Sequence, residues 1–176
     1  MIRVWDPFVR VFHWALALSF AVAWLSGEGW ERLHELAGYV VGSLMLARVA
    51  WGFLGPRYAR FSHFVRPAGV VVDYLKSIAD GSERRFIGHN PAGGTMIVVM
   101  IVSLGATAAT GWMLTTDVFW GSGVVQRLHS ILAHGVLLLV LLHLGGVALA
   151  SLRHEENLVR AMVLGVKRAP EPGDVA

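Results

Sequence analysis

The sequence predicts an all-α integral membrane protein: a four-transmembrane-helix bundle with both termini cytoplasmic and a short amphipathic surface helix between helices 2 and 3. Three observations lead there. Hydrophobic residues make up 55% of the 176 positions and charged residues 15%, with a mean hydropathy of +0.58; so few charges could not cover a soluble domain of this size. Four apolar runs, at 8–25, 36–54, 95–114 and 128–152, have about the 20 residues needed to cross roughly 30 Å of hydrocarbon. Basic residues are distributed unevenly between the connections: 26–35 holds only Arg32 and 115–127 only Arg127, while the N-terminal stretch, the second connection with the adjoining helix end, and the C-terminal segment hold the other 13 of 15. Lysine and arginine accumulate on the cytoplasmic side, so the expected topology is multi-pass and N-in/C-in.

The elements follow in order. Backbone polar groups cannot stay unpaired in lipid, so each run is a helix. Asp6-Pro7 and Asn90-Pro91 are start signals for the first and third, an N-cap followed by a first-turn proline. Within the long second connection, 55–94, residues 68–79 place Val71, Val72, Leu75 and Ile78 at helical spacing, with Asp73 and Lys76 elsewhere on the wheel; that is a short helix lying on the membrane surface. The segment 155–167 has similar character. Residues 1–168 are expected to form one membrane domain and 169–176 a short polar tail. Met1 to Arg10 carries Arg3, Asp6 and Arg10 with no small-residue cleavage site after it, so no cleavable signal is expected. The basic residues form no single stripe, which argues against nucleic acid as a partner.

Cysteine is absent, which excludes disulfides, thiolate metal sites, iron–sulfur clusters and covalent c-type haem attachment. A redox cofactor would have to be held by histidine or methionine, and there are eight histidines. Ionisable residues inside a membrane span are costly and carry a functional presumption, and His13, His34, His129 and His143 qualify. His129 and His143 lie fourteen residues apart on the fourth helix, about 40° apart around it and roughly 21 Å along it. That suits two stacked haems, one toward each leaflet, and is far too distant for one metal ion. Depth sets the pairing: His34 with His129 across an outer haem, His13 with His143 across an inner one. Two imidazoles per iron leave no open coordination position, which suits electron transfer. His134 is rotated about 140° from His129, and His63, His89 and His154 fall in connections or at helix ends; these four are taken as structural.

Gly38 and Gly42 follow His34 at intervals of four on the same helical face. They either let a flat macrocycle approach the backbone or serve helix–helix packing through a small-xxx-small pattern. Arg48 is the other expensive residue: it either neutralises a haem propionate or a quinone oxygen, or anchors the helix by snorkelling to the cytoplasmic surface.

Several runs carry a family resemblance. Arg10-Val-Phe-His-Trp14, His34-Glu-Leu-Ala-Gly-Tyr39, Arg48-Val-Ala-Trp-Gly52, Ala59-Arg-Phe61, His89-Asn-Pro-Ala-Gly93, Leu128-His129 and Glu156-Asn-Leu-Val-Arg-Ala-Met162 resemble bacterial cytochrome b561 and the b-type cytochrome subunit of nickel–iron hydrogenases, over about residues 3–168. The resemblance implies four helices and two b haems, with ligands falling on His13, His34, His129 and His143. It also implies electron passage between the membrane quinone pool and a partner protein. The leading expectation is an electron-transfer subunit, rather than a stand-alone enzyme, that links quinone to a periplasmic c-type cytochrome or a hydrogenase. A self-contained quinone oxidoreductase that oxidises superoxide at the outer face is the alternative, and a haem-free metal or proton carrier using the same histidines is a third. Membrane lipid is the constant partner, and a homodimer is left open.

Overall fold

Hydrogen-bond satisfaction in hydrocarbon dictates the main elements, and the computed structural model, which describes residues 1–175, contains them. Strand β1 (Ile2–Arg3) precedes α1 (Pro7–Ser26) and α2 (Glu31–Leu54). A 3-10 turn at Arg57–Ala59 leads into α3 (Phe61–Phe64) and α4 (Ala68–Asp80), followed by α5 (Pro91–Leu114), α6 (Gly123–Arg153), α7 (Leu158–Leu164) and strand β2 (Val166–Lys167). Helices α1, α2, α5 and α6 are long and apolar enough to cross a membrane. The two proline starts work as expected: the Asp6 carboxylate accepts from the Val9 amide at 3.1 Å and the Asn90 side chain from Gly93 at 2.7 Å. Large apolar side chains stay exposed along the long helices, including Leu18 at 68% and Leu46 at 76%. Exposed apolar surface on this scale requires lipid around it.

The chain forms two compact units: residues 1–10, 51–99 and 141 onward make the first, and residues 11–50 and 100–140 the second. In the second unit, α2 buries Ala37, Val41, Met45 and Arg48. Their spacing of three to four residues is one helical stripe, and His34 begins it. Leu104 and Thr110 of α5 and Val125 and Val136 of α6 are also buried there.

In the first unit, Val4, Trp5 and Ile87 form a buried cluster, with Tyr58 and Met162 packed against it. β1 and β2 pair antiparallel, Ile2 opposite Lys167 and Arg3 opposite Val166. Between β2 and α7, Gly165 adopts φ +79°, and its carbonyl accepts from the Val4 and Trp5 amides. A Cβ at Gly165 would stand 2.8 Å from the Trp5 carbonyl oxygen, so both conformation and space demand glycine. The surface helix α4 divides its apolar residues. Tyr74 is buried, with Val71 and Ile78 half-buried, whereas Val72 and Leu75 are about half exposed.

The same unit holds a charge-balanced group. The Arg85 guanidinium donates to both Glu156 carboxylate oxygens, at 2.8 and 3.3 Å, and pairs with Asp174; Lys167 pairs with Glu156 at 3.1 Å. The Arg168 amide donates to Glu156 at 2.9 Å. Two cations and two anions thus lie together with little solvent, and Asp174, within the segment expected as a polar tail, is one of them. Burial alone would raise the Glu156 pKa; the Arg85 hydrogen bonds, the Arg168 amide and Lys167 outweigh it and hold the carboxyl below its ordinary 4.5. Burial lowers Lys167 despite its anionic neighbours, so Arg85 is the cation that principally holds Glu156. Removing one member strands a buried charge. Arg85→Ala is therefore expected to cost about 3–5 kcal/mol, measured as reduced unfolding stability of the solubilised protein. Because the folded-state pKa of Glu156 is depressed, its stabilisation is complete above 4.5 and is lost as pH falls below that value. A wild-type acid transition that Glu156→Gln does not alter would contradict this assignment.

Candidate functional site

A neutral imidazole carries one N–H and one lone pair, and its partner decides which nitrogen has which. In the second unit, His34 opens α2 and His129 lies on α6, with ring centroids 6.0 Å apart and planes at 83°. His34 Nδ1 is 2.8 Å from the carbonyl oxygen of Ala23 on α1, and His129 Nδ1 is 3.0 Å from that of Thr107 on α5. A carbonyl can only accept, so both Nδ1 atoms carry the proton and donate it, leaving the lone pair on Nε2 in each ring. Hydrogen-bonding the far nitrogen in this way fixes the tautomer and orientation of metal-ligating histidines.

The spacing also suits a shared metal. Two metal–nitrogen bonds of roughly 2 Å each, plus the distance from each ring centre to its nitrogen, come to about 6 Å. The arrangement can therefore place one iron between two imidazoles. Among the described residues, no group of three or more histidine, cysteine, aspartate or glutamate side chains could hold a metal ion; His34 and His129 are two donors brought together across helices.

Surrounding residues confine the two rings. A Cβ at Gly111 of α5 would come within 3.1 Å of His129 Cε1, so a larger residue would push on the ring. A Cβ at Gly38 would meet nothing within 4 Å, whereas one at Gly42 would touch the Ala108 methyl at 3.5 Å. Gly38 thus borders open space on the His34 side, and Gly42 lies in the contact between α2 and α5. Arg48 is 3% exposed, so its side chain is inside the second unit rather than on an outer face of α2. His13 is also in the second unit, half-buried, with the Trp14 ring edge-on at 5.1 Å. His143 is half-buried in the first unit. It shares α6 with His129, and Val136, seven residues from each, is fully buried, so the heptad stripe bearing both histidines faces the protein interior.

Three of the four remaining histidines, His134, His89 and His63, have local partners. His134 Nδ1 donates to the Ser130 carbonyl of its own helix at 2.8 Å, and its ring meets Trp24 at 5.2 Å. His89 lies between Trp5 at 4.6 Å and Phe64 at 5.0 Å. His63 meets Tyr58 edge-on at 5.1 Å, and burial followed by the Arg57 and Arg66 charges pushes its pKa down. Thr107, Thr110 and Gly111 were missed in the sequence. The signal was a polar run, Ser103, Thr107 and Thr110, at helical spacing in an otherwise apolar span.

Comparison with known proteins bears on what this pair holds. The profile of the family described as prokaryotic cytochrome b561 matches residues 4–165. A probable Ni/Fe-hydrogenase B-type cytochrome subunit of Rhodobacter capsulatus is 24% identical over 212 aligned positions, covering 93% of this chain and 80% of that protein. A protein of the same description from Azotobacter vinelandii is 28% identical over 146 positions, covering 66% of this chain and 60% of its own length. No solved structure matches. With four membrane-length helices and a family match over nearly its whole length, the chain belongs to the prokaryotic cytochrome b561 family: it is a multi-pass membrane b-type cytochrome that works in electron transfer with haem b.

Proposed function

We propose that the chain is a di-haem conduit that passes electrons between the quinone pool and a periplasmic redox partner. The single observation that carries this is the His34–His129 pair, 6.0 Å between ring centres with both Nδ1 protons given to backbone carbonyls. Haem b, when bound, supplies one-electron chemistry at iron. His34 and His129 would hold one iron, and His13 with His143 would hold a second; the fourteen-residue spacing on α6 supports the second site. Two imidazoles at each iron leave no position for oxygen. Residues 1–168 would form this di-haem domain.

Other residues have auxiliary roles in this reading. The open space beside Gly38 would admit the macrocycle edge, and Gly42 would set the helix separation next to it. Buried Arg48 would offset the negative charge of a propionate or a quinone oxygen, because a cation held inside a membrane protein stabilises an anion beside it. The basic residues gathered in the N-terminal, second-connection and C-terminal segments support an N-in/C-in orientation in an inner membrane. For the partner, the relatives named as hydrogenase cytochrome subunits favour a hydrogenase, with a c-type cytochrome as the other candidate.

His34→Ala and His129→Ala are expected to remove the same haem and leave the other spectrally intact, taking pyridine haemochrome content from two per chain to one. If the two variants lost different haems, the pairing would be wrong. Carbon monoxide added to the dithionite-reduced protein should leave its spectrum unchanged. A stoichiometric shift would reveal an open iron and end the bis-histidine reading for that haem.

A further inference from the structure

We propose that Thr110 is a positioning residue that sets the reduction potential of the haem held by His129, by accepting a share of the His129 Nδ1 proton; this rests on His129 being an iron ligand. Thr110 is 7% exposed. Its hydroxyl oxygen stands 3.1 Å from His129 Nδ1 and 2.9 Å from the carbonyl oxygens of both Ala106 and Thr107. The Thr107 carbonyl is itself 3.0 Å from the same Nδ1. Thr107 O, Thr110 Oγ1 and His129 Nδ1 thus form a closed triangle with sides of 2.9, 3.0 and 3.1 Å.

Proton counting fixes the roles. The carbonyl oxygen has no hydrogen, so Nδ1 must donate. Thr110 has one hydrogen, which goes to the Ala106 or Thr107 carbonyl, and its lone pairs face the remaining donor, the Nδ1–H. That proton is therefore shared between two acceptors.

Threonines in membrane helices ordinarily bond back to their own helix and need no further account; Thr107 does so, its hydroxyl donating to the Ser103 carbonyl at 2.8 Å. Thr110 differs in having the imidazole of another helix within reach. His34 offers the contrast, because its Nδ1 meets the single carbonyl of Ala23. The two rings of one pair are thus unequally polarised. A ring whose Nδ1–H is drawn toward acceptors is a more basic ligand at Nε2, and a more basic ligand favours the oxidised iron. Removing the Thr110 hydroxyl should therefore raise the potential.

The test compares Thr110→Val, Thr110→Ser, Thr107→Val and His129→Ala by haem content and by redox titration of the haem that His129→Ala loses. Thr110→Val should keep full haem content and shift the reduction equilibrium of that haem roughly fivefold toward the reduced form, the worth of about one neutral hydrogen bond. At 59 mV per tenfold for one electron this is about 40 mV. Thr110→Ser should restore the wild-type value, and Thr107→Val, whose backbone carbonyl remains, should not move it. If His129→Ala retains both haems, the ligand reading itself fails, and the proposal with it. If His129→Ala loses one haem but Thr110→Val leaves its potential unchanged, the ligand reading stands and the role of Thr110 is overturned. Should Thr110→Val lose haem through misfolding, Thr110→Ala against Thr110→Ser makes the same comparison, and equal potentials overturn the proposal.

Discussion

An imidazole inside a membrane helix has two nitrogens to satisfy, and hydrocarbon offers a partner to neither. The helix backbone cannot supply one at will, because its carbonyls are committed to their own amides and retain only a second lone pair. The candidate site uses two such carbonyls: that of Ala23, left over in the last turn of α1 where helical amides run out, for His34, and the second lone pair of Thr107 within α5 for His129. Each bond joins a histidine to a different helix, so α1 orients the ring on α2, and α5 the ring on α6. Both outer nitrogens are thereby occupied and both inner ones left with lone pairs. The glycine at position 111 follows from the same requirement: α5 must approach α6 closely enough for the Thr107 carbonyl to reach the ring, and a Cβ at 3.1 Å would resist that approach.

The two units meet opposite electrostatic demands by different means. In the second, imidazoles, hydroxyls and carbonyls meet one another, and Arg48 is the one cation among its most buried residues. In the first, full charges are buried, and the group is balanced by placing two carboxylates against Arg85 and Lys167. Taking charges out of water is costly unless each finds its counter-charge and its remaining hydrogen bonds. Lys167 also donates to the Phe86 carbonyl, and Arg85 to that of Arg168. These contacts stitch the connection before α5 to the segment after α7.

The parts that were legible in the sequence depend on one-dimensional signals. A span shows as a run of about 20 apolar residues, and the proline starts of α1 and α5 show as Asp6-Pro7 and Asn90-Pro91. His34 and His129 were visible because a polar ring is expensive where everything around it is apolar. Thr110 was not, because a threonine bonded to its own helix has the same sequence signature as one that also touches the imidazole of another helix. The group around Arg85 was hidden for another reason: Arg85 and Glu156 lie 71 residues apart, and no periodicity links them. The short β1–β2 ladder, two residues on each side, is below what alternation can reveal. In α4 the apolar spacing marked a helix, but could not tell which of those residues would turn to protein and which stay exposed.

The distance in sequence between Arg85 and its carboxylates has a consequence for biosynthesis. Residues 91–153, which comprise α5 and α6, are translated after Arg85 and before Glu156. Throughout that interval the guanidinium has no counter-charge from Glu156 or Asp174, and an unpaired charge stays in water. The connection carrying Arg85 therefore lacks these partners until α5 and α6 have been made. It closes when the segment from Glu156 to Asp174 emerges and adds its strand to β1. The first residues made thus find their strand partners only among nearly the last.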